Sequence, residues 1–159
     1  MIDLWPEGIE TNRVKSPVTI LREQGSLLGQ KTKNLVQGEV MESSGRENLF
    51  VYSFFIVAPA LSHYRYKLFT IRHDVSLYPV RVDVEDRIFD EVDSQFQTGR
   101  SDPDGEPLLS YLQADSEEKF LELLREIFKS QKAIQVVTSL LSQSDPNWRS
   151  SNGEVASAS

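Results

Sequence analysis

Apolar residues along this chain keep two rhythms. Between residues 49 and 85 they run in strand-like blocks, and on either side they recur at helical spacing. Residues 48–57 are apolar on both parities. Phe50, Tyr52, Phe54 and Ile56 form one row; Leu49, Val51, Phe55 and Val57 form the other. A strand with two apolar rows belongs at the centre of a sheet and needs cover on both faces. Pro59, lacking an N–H, ends its pairing. In residues 64–73 one row holds Tyr64, Tyr66, Leu68, Thr70 and Arg72, and the other holds Arg65, Lys67, Phe69, Ile71 and His73. Each row mixes an apolar centre with cationic ends. Residues 77–85 alternate cleanly, with Tyr78, Val80, Val82 and Val84 inward and Arg81, Asp83 and Glu85 toward solvent. Pro79 suggests an edge position or a bulge there. Residues 35–43 add an edge strand with Val36 and Val40 inward. The expectation is a four-stranded antiparallel β-meander.

Helical signals flank this block. Ser16 can cap and Pro17 fits the first helical position, where its missing N–H costs nothing. Val18, Leu21, Leu28 and Leu35 then keep an approximately helical spacing up to about Lys33 or Asn34. Gly25 and Gly29 each weaken that helix by about 1 kcal/mol relative to Ala, yet on one face they would allow close approach to the sheet. Ile88, Phe89, Val92 and Phe96 are spaced for a short acidic helix. Residues 98–107, with Gly99, Pro103, Gly105 and Pro107, read as an exposed loop. Residues 108–113 form a turn of helix or a fragment of strand. Asp115 with Glu118 resembles a capping box. Phe120, Leu121, Leu124, Ile127 and Phe128 make one apolar stripe; after Ser130, Ala133, Ile134, Val137, Leu140 and Leu141 make another. The fold class expected is α+β, a meander packed by an N-terminal helix and two C-terminal helices. Residues 1–13 form an arm, with Trp5 expected to pin it to the body. Residues 14–143 form one domain and residues 144–159 a flexible tail.

Bulk properties narrow the function classes. The chain has 159 residues, 39% hydrophobic and 26% charged, as expected of one globular domain. Its net charge of −7 favours basic partners and argues against broad binding to phosphate backbones. The absence of cysteine removes disulfides, thiolate metal sites and cysteine nucleophiles. Residues 1–10 lack the basic and apolar regions of a secretory signal, and no apolar run could span a bilayer. A cytoplasmic protein with no membrane segment is the expectation.

Candidate chemistry is sparse. His63 and His73 lie ten residues apart on one strand, roughly 33 Å in extended chain, so they cannot share a metal. His73 beside Asp74 has the makings of a base and its orienting group. Asp83, Glu85 and Asp86 cluster where carboxylates two apart could hold a hard cation. The Lys that a nuclease of the Asp…Glu-x-Lys kind requires is missing. No Gly-x-Ser-x-Gly and no phosphate-binding Gly-rich loop is present. Basic and aromatic residues alternate from His63 to Lys67, which would send rings and charges to opposite faces and disfavours a nucleic-acid platform.

A helix, four strands and two helices is loosely similar to small α+β binding folds such as acidic secretion chaperones and toxin-neutralising immunity proteins, without a signature run. The functional expectation is a non-catalytic protein-interaction domain, either self-associating, for instance as a homodimer, or binding a basic protein. Phe50, Phe54, Tyr64 and Tyr66 are the candidate apolar contacts. Asp83, Glu85, Asp86, Asp90 and Glu91 are the candidate electrostatic surface. No cofactor is implied. The alternative is a metal-dependent hydrolase using Asp83 and Glu85.

Overall fold

The first helix, α1 (Pro17–Lys31), begins where its caps direct. Ser16 accepts a long hydrogen bond from the Thr19 amide (3.4 Å), and proline occupies the first turn. The helix stops two residues earlier than its apolar spacing suggests, because Lys33 and Asn34 take positive φ (52° and 65°). Thr32 closes the end. Its buried hydroxyl donates to the Val36 carbonyl (2.7 Å) and accepts from the Val36 amide (3.1 Å), tying the helix to the strand that follows. The computed structural model describes residues 1–11, 13–44, 48–98 and 110–147. The expected loop at 98–107 and the expected tail fall mostly outside those residues.

Strands β1 (Gln37–Ser43), β2 (Phe50–Ala58), β3 (Tyr64–His73) and β4 (Val80–Asp83) pair in sequence order, each antiparallel to the last. The meander is present, but the sheet does not stop at four strands. After α2 (Asp86–Glu91) and a short 3-10 turn come β5 (Gln97–Thr98) and β6 (Tyr111–Ala114). The chain returns so that β6 lies between β4 and β5, giving an open six-stranded sheet in the order β1-β2-β3-β4-β6-β5. Of the short segment that could have been helix or strand, the part from Tyr111 onward is strand, with Leu112 and Ala114 buried. Consequently β4 is interior, not an edge: Val82 pairs with Ile71 on one side and Leu112 on the other. Pro79 is accommodated because the strand starts at Val80, so the missing N–H lies outside the ladder.

Helices α3 (Glu117–Phe128) and α4 (Gln131–Ser144) complete the fold. Ser116, rather than Asp115, caps α3, accepting from Lys119 N (3.2 Å); Ser130 caps α4, accepting from Ala133 N (3.2 Å). The core forms between one sheet face and the helices. Tyr52, Phe54, Ile56, Ile71, Val80, Val82 and Leu112 meet Ile20, Leu21, Phe120, Leu123, Ile127 and Leu140. Phe54 stacks on Phe69 at 5.2 Å and tilts against Phe128 at 5.6 Å.

Two local features set the geometry. First, α1 crosses β1 where glycines face each other. A Cβ on Gly25 would run into the Gly38 carbonyl, and a Cβ on Gly38 would meet the ring of Phe54. Close helix-to-sheet contact here requires hydrogen in both places. Second, the β2–β3 register shifts between Phe54 and Phe55: Phe54 pairs with Phe69, but Phe55 pairs with Lys67. Leu68 is the extra residue of a bulge, and side-chain parity reverses there.

Residues 1–10 are exposed throughout. Leu4 and Trp5 show 88% and 73% of their surface, so Trp5 does not pin the arm to the body. Among the described residues, no helix is long and apolar enough to cross a membrane.

Candidate functional site

The four candidate aromatic contacts all lie on the helix-covered side of the sheet, opposite His73, Phe69, Ala58 and Ile56 in the ladder. They do not make one surface row. Phe54 is a core residue at 2% exposure. Phe50, at the sheet end, is 41% exposed and stacks on His73 at 5.4 Å. Tyr64 and Tyr66 line a depression of about 570 Å³ against α4, with Lys132 over the Tyr66 ring at 5.5 Å. Tyr66 donates to Glu85 Oε2 (3.0 Å). Partial burial, and secondarily that carboxylate, push its phenol above the usual range.

The acidic candidates are also separated. Asp83 projects from the sheet face away from the helices and sits between two guanidiniums, 3.2 Å from Arg72 Nε and 3.0 Å from Arg81 Nε. Glu85 has turned to the other side of the sheet, toward Tyr66. Asp86 and Asp90 are exposed on α2. Glu91 Oε2 accepts from the Gln131 amide (2.9 Å) at the start of α4, and with Asp90 it borders a depression that also holds Arg87 and Lys132. Two residues of strand separation would have kept Asp83 and Glu85 together, but β4 ends between them. Among the described residues, no group of three or more His, Asp or Glu side chains is arranged to hold a metal ion.

His73 is buried at 5% exposure, stacked against Phe50 and Tyr52. Its Nδ1 lies 2.7 Å from the Asp74 carbonyl. A carbonyl only accepts, so Nδ1 carries a proton, and Nε2 is buried with no hydrogen-bond partner among the described residues. The Asp74 carboxylate is occupied by the Ser76 amide (2.8 Å). The two residues therefore do not form a side-chain relay.

The helices leave the second face of the sheet uncovered; the sequence marked that face as needing cover but did not show its cationic character. The bulge at Leu68 creates its character. Before it, Arg65 and Lys67 pair with Val57 and Phe55; after it, Thr70 and Arg72 pair with Ser53 and Val51. All three β3 cations thus share one face, although their sequence parities differ. Arg81 of β4 stands directly opposite Arg72 and lies over the Tyr111 ring at 4.2 Å. The ladder places four cations (Arg65, Lys67, Arg72, Arg81) and two carboxylates (Glu39, Asp83) on this face. The detectable signal was the mixed composition of both rows in residues 64–73, which a single inserted residue resolves.

Arg65 partly roofs the apolar floor. From β3 its guanidinium reaches past β2 to Glu39 (3.2 Å) and Met41 Sδ (3.2 Å) on β1. Its aliphatic stem therefore crosses the central strand, as long cationic side chains do over apolar ground. Val57, opposite Arg65, is 1% exposed. Phe55 and Val51 stay half-buried, and Met41 and Leu49 are exposed. Leu49, Val51, Arg72, Arg81 and Gln113 border a cavity of about 640 Å³ at one end of the face. Lys67 makes no ion pair among the described residues.

Comparisons of the chain with protein-family models, with curated proteins and with solved structures return no match. Its function is therefore argued from this geometry.

Proposed function

We propose that this chain is a non-catalytic protein-interaction domain that self-associates through the helix-free face of its sheet. The observation that carries the reading is an apolar floor, half-buried at Val51 and Phe55 and exposed at Met41, set beside four cations and two carboxylates on that face, in a chain whose net charge is −7. The rest of the surface must then be acidic, so two copies attract when this face meets another part of the molecule. The N-terminal arm has the complementary chemistry. Ile2, Leu4 and Trp5 are exposed, Asp3 lies among them, and Glu7 and Glu10 follow. The expectation of a basic partner rested on net charge; the local charge of this face favours an acidic one.

Light scattering over a concentration series tests the reading. The mass should rise with concentration toward twice that of one chain, less so at high salt. Both Lys67→Glu and Trp5→Ala should weaken the association, Trp5→Ala by about 1–2 kcal/mol, since large aromatics dominate such interfaces. Both side chains are exposed, so neither change should alter folding. A wild-type chain that stays monomeric at every concentration would refute self-association. Capture of a basic protein through Asp86 and Asp90 would move the interface to α2. A thermal shift with Mg²⁺ or Mn²⁺ that vanishes in Asp83→Asn would favour the hydrolase reading instead. The two arginines already held by Asp83 weigh against that outcome.

A further inference from the structure

On the opposite side of the sheet, between α1, the end of α3 and the start of α4, lies an apolar slot of about 220 Å³. Phe54 and Leu68 form its floor, and Leu28, Phe128 and Val137 its walls. Leu68 follows Tyr66 on the helix-covered side, and the bulge there lets the next residue, Phe69, face the same side. Among the described residues that line it, two are polar, Gln24 and Lys31. A shallower depression adjoins the slot, sharing Gln24, Lys31 and Phe128 with it and adding Arg125 and Lys129.

Among the described residues no carboxylate lines either space, although Asp and Glu outnumber Lys and Arg by 24 to 17 in the chain. The nearby acids are engaged elsewhere: Glu122 holds Lys119 and Glu126 accepts from the Asp93 amide. Among the described residues, Lys31, Arg125 and Lys129 make no ion pair. Three like charges at one mouth repel one another, and an anion placed among them relieves that repulsion. The apolar interior sets the rest of the ligand. An apolar cavity of about 150 Å³ takes up benzene, and at roughly 30 Å³ per water-sized unit this slot holds about seven, the bulk of a short alkyl chain.

We propose that the slot takes the alkyl chain of a medium-chain fatty carboxylate, with its head group among Lys31, Arg125 and Lys129. Calorimetric titration of the full chain with sodium octanoate, below its micellar range, tests this. Octanoate should bind saturably, and both acetate, which lacks the chain, and octanol, which lacks the charge, should bind at least about ten-fold more weakly. The double variant Lys31→Glu, Lys129→Glu, which changes only exposed side chains, should weaken octanoate about ten-fold with an unchanged circular dichroism spectrum. Val137→Phe should fill the slot and abolish binding. The proposal fails if wild-type protein shows no saturable uptake, if octanol matches octanoate, or if the charge-reversed variant binds as well as wild type. An acidic peptide with a leucine anchor that outcompetes octanoate would overturn the ligand class.

Discussion

Replacing Gly25 by Ala should destabilise the protein, while the same change at Gly29 should not. Both glycines lie inside α1, so propensity alone favours Ala at each by about 1 kcal/mol. Their surroundings differ. A Cβ on Gly25 would meet the backbone of Gly38, with the carbonyl carbon 2.8 Å away, and Gly38 is itself pressed on by the Phe54 ring. Neither backbone can yield without moving α1 off β1. Overpacking of this kind costs about 1–3 kcal/mol, and loss of contact along the helix adds to it. The net expectation for Gly25→Ala is a loss of about 2 kcal/mol, which for a chain of this length lowers Tm by about 4–8 °C. A Cβ on Gly29 would meet Asn34 Oδ1 at 3.3 Å and Gln37 Cβ at 3.7 Å. The first is a side-chain atom that can shift by a few tenths of an ångström, and the second is ordinary contact. Gly29→Ala should therefore be neutral or stabilising by up to about 1 kcal/mol. Urea denaturation followed by circular dichroism measures both, with unchanged m-values confirming that stability alone has moved. If the two variants shift the midpoint in the same direction by the same amount, the glycine contact is not what seats the helix.

Thr32→Val keeps the shape of the side chain but leaves the buried Val36 amide and carbonyl without their partner. It should cost about 2 kcal/mol in the same assay; a loss below the error of the measurement would show that water replaces the hydroxyl. Tyr78 gives a pH signature. Its hydroxyl donates to the Lys15 carbonyl (2.9 Å), and burial, reinforced by the Glu117 charge, raises its ionisation from near 10.0 to about 12. Because the folded state holds this proton more tightly, the contribution is complete below about pH 10. It is lost as pH rises toward 12, since the unfolded chain ionises first. Ultraviolet titration should show Tyr78 ionising late, beside Tyr66, whose phenol is also raised. Tyr78→Phe should remove that step and flatten the fall in stability above about pH 10.

Much of this architecture was legible from residue order. Helical spacing, Ser caps at Ser16 and Ser130, and a proline at the first turn place α1 and α4, because those signals act within a few residues. The four meander strands declared themselves through apolar blocks broken by turn residues. Sheet order did not. Tyr111 to Ala114 is too short to reveal its type, and inserting it beside β4 depends on Leu112 and Ala114 finding Val82 and Val80 across space. Neither glycine's role nor the sign of the second face could be read locally. Gly25 matters only because Gly38 arrives opposite it, and Arg65, Lys67 and Arg72 share a face only because one residue, Leu68, is left out of the ladder. Short-range propensity fixes which segments are helix or strand; register and crossing points are settled by contacts between distant segments, and those decide which charges and apolar surfaces end up side by side.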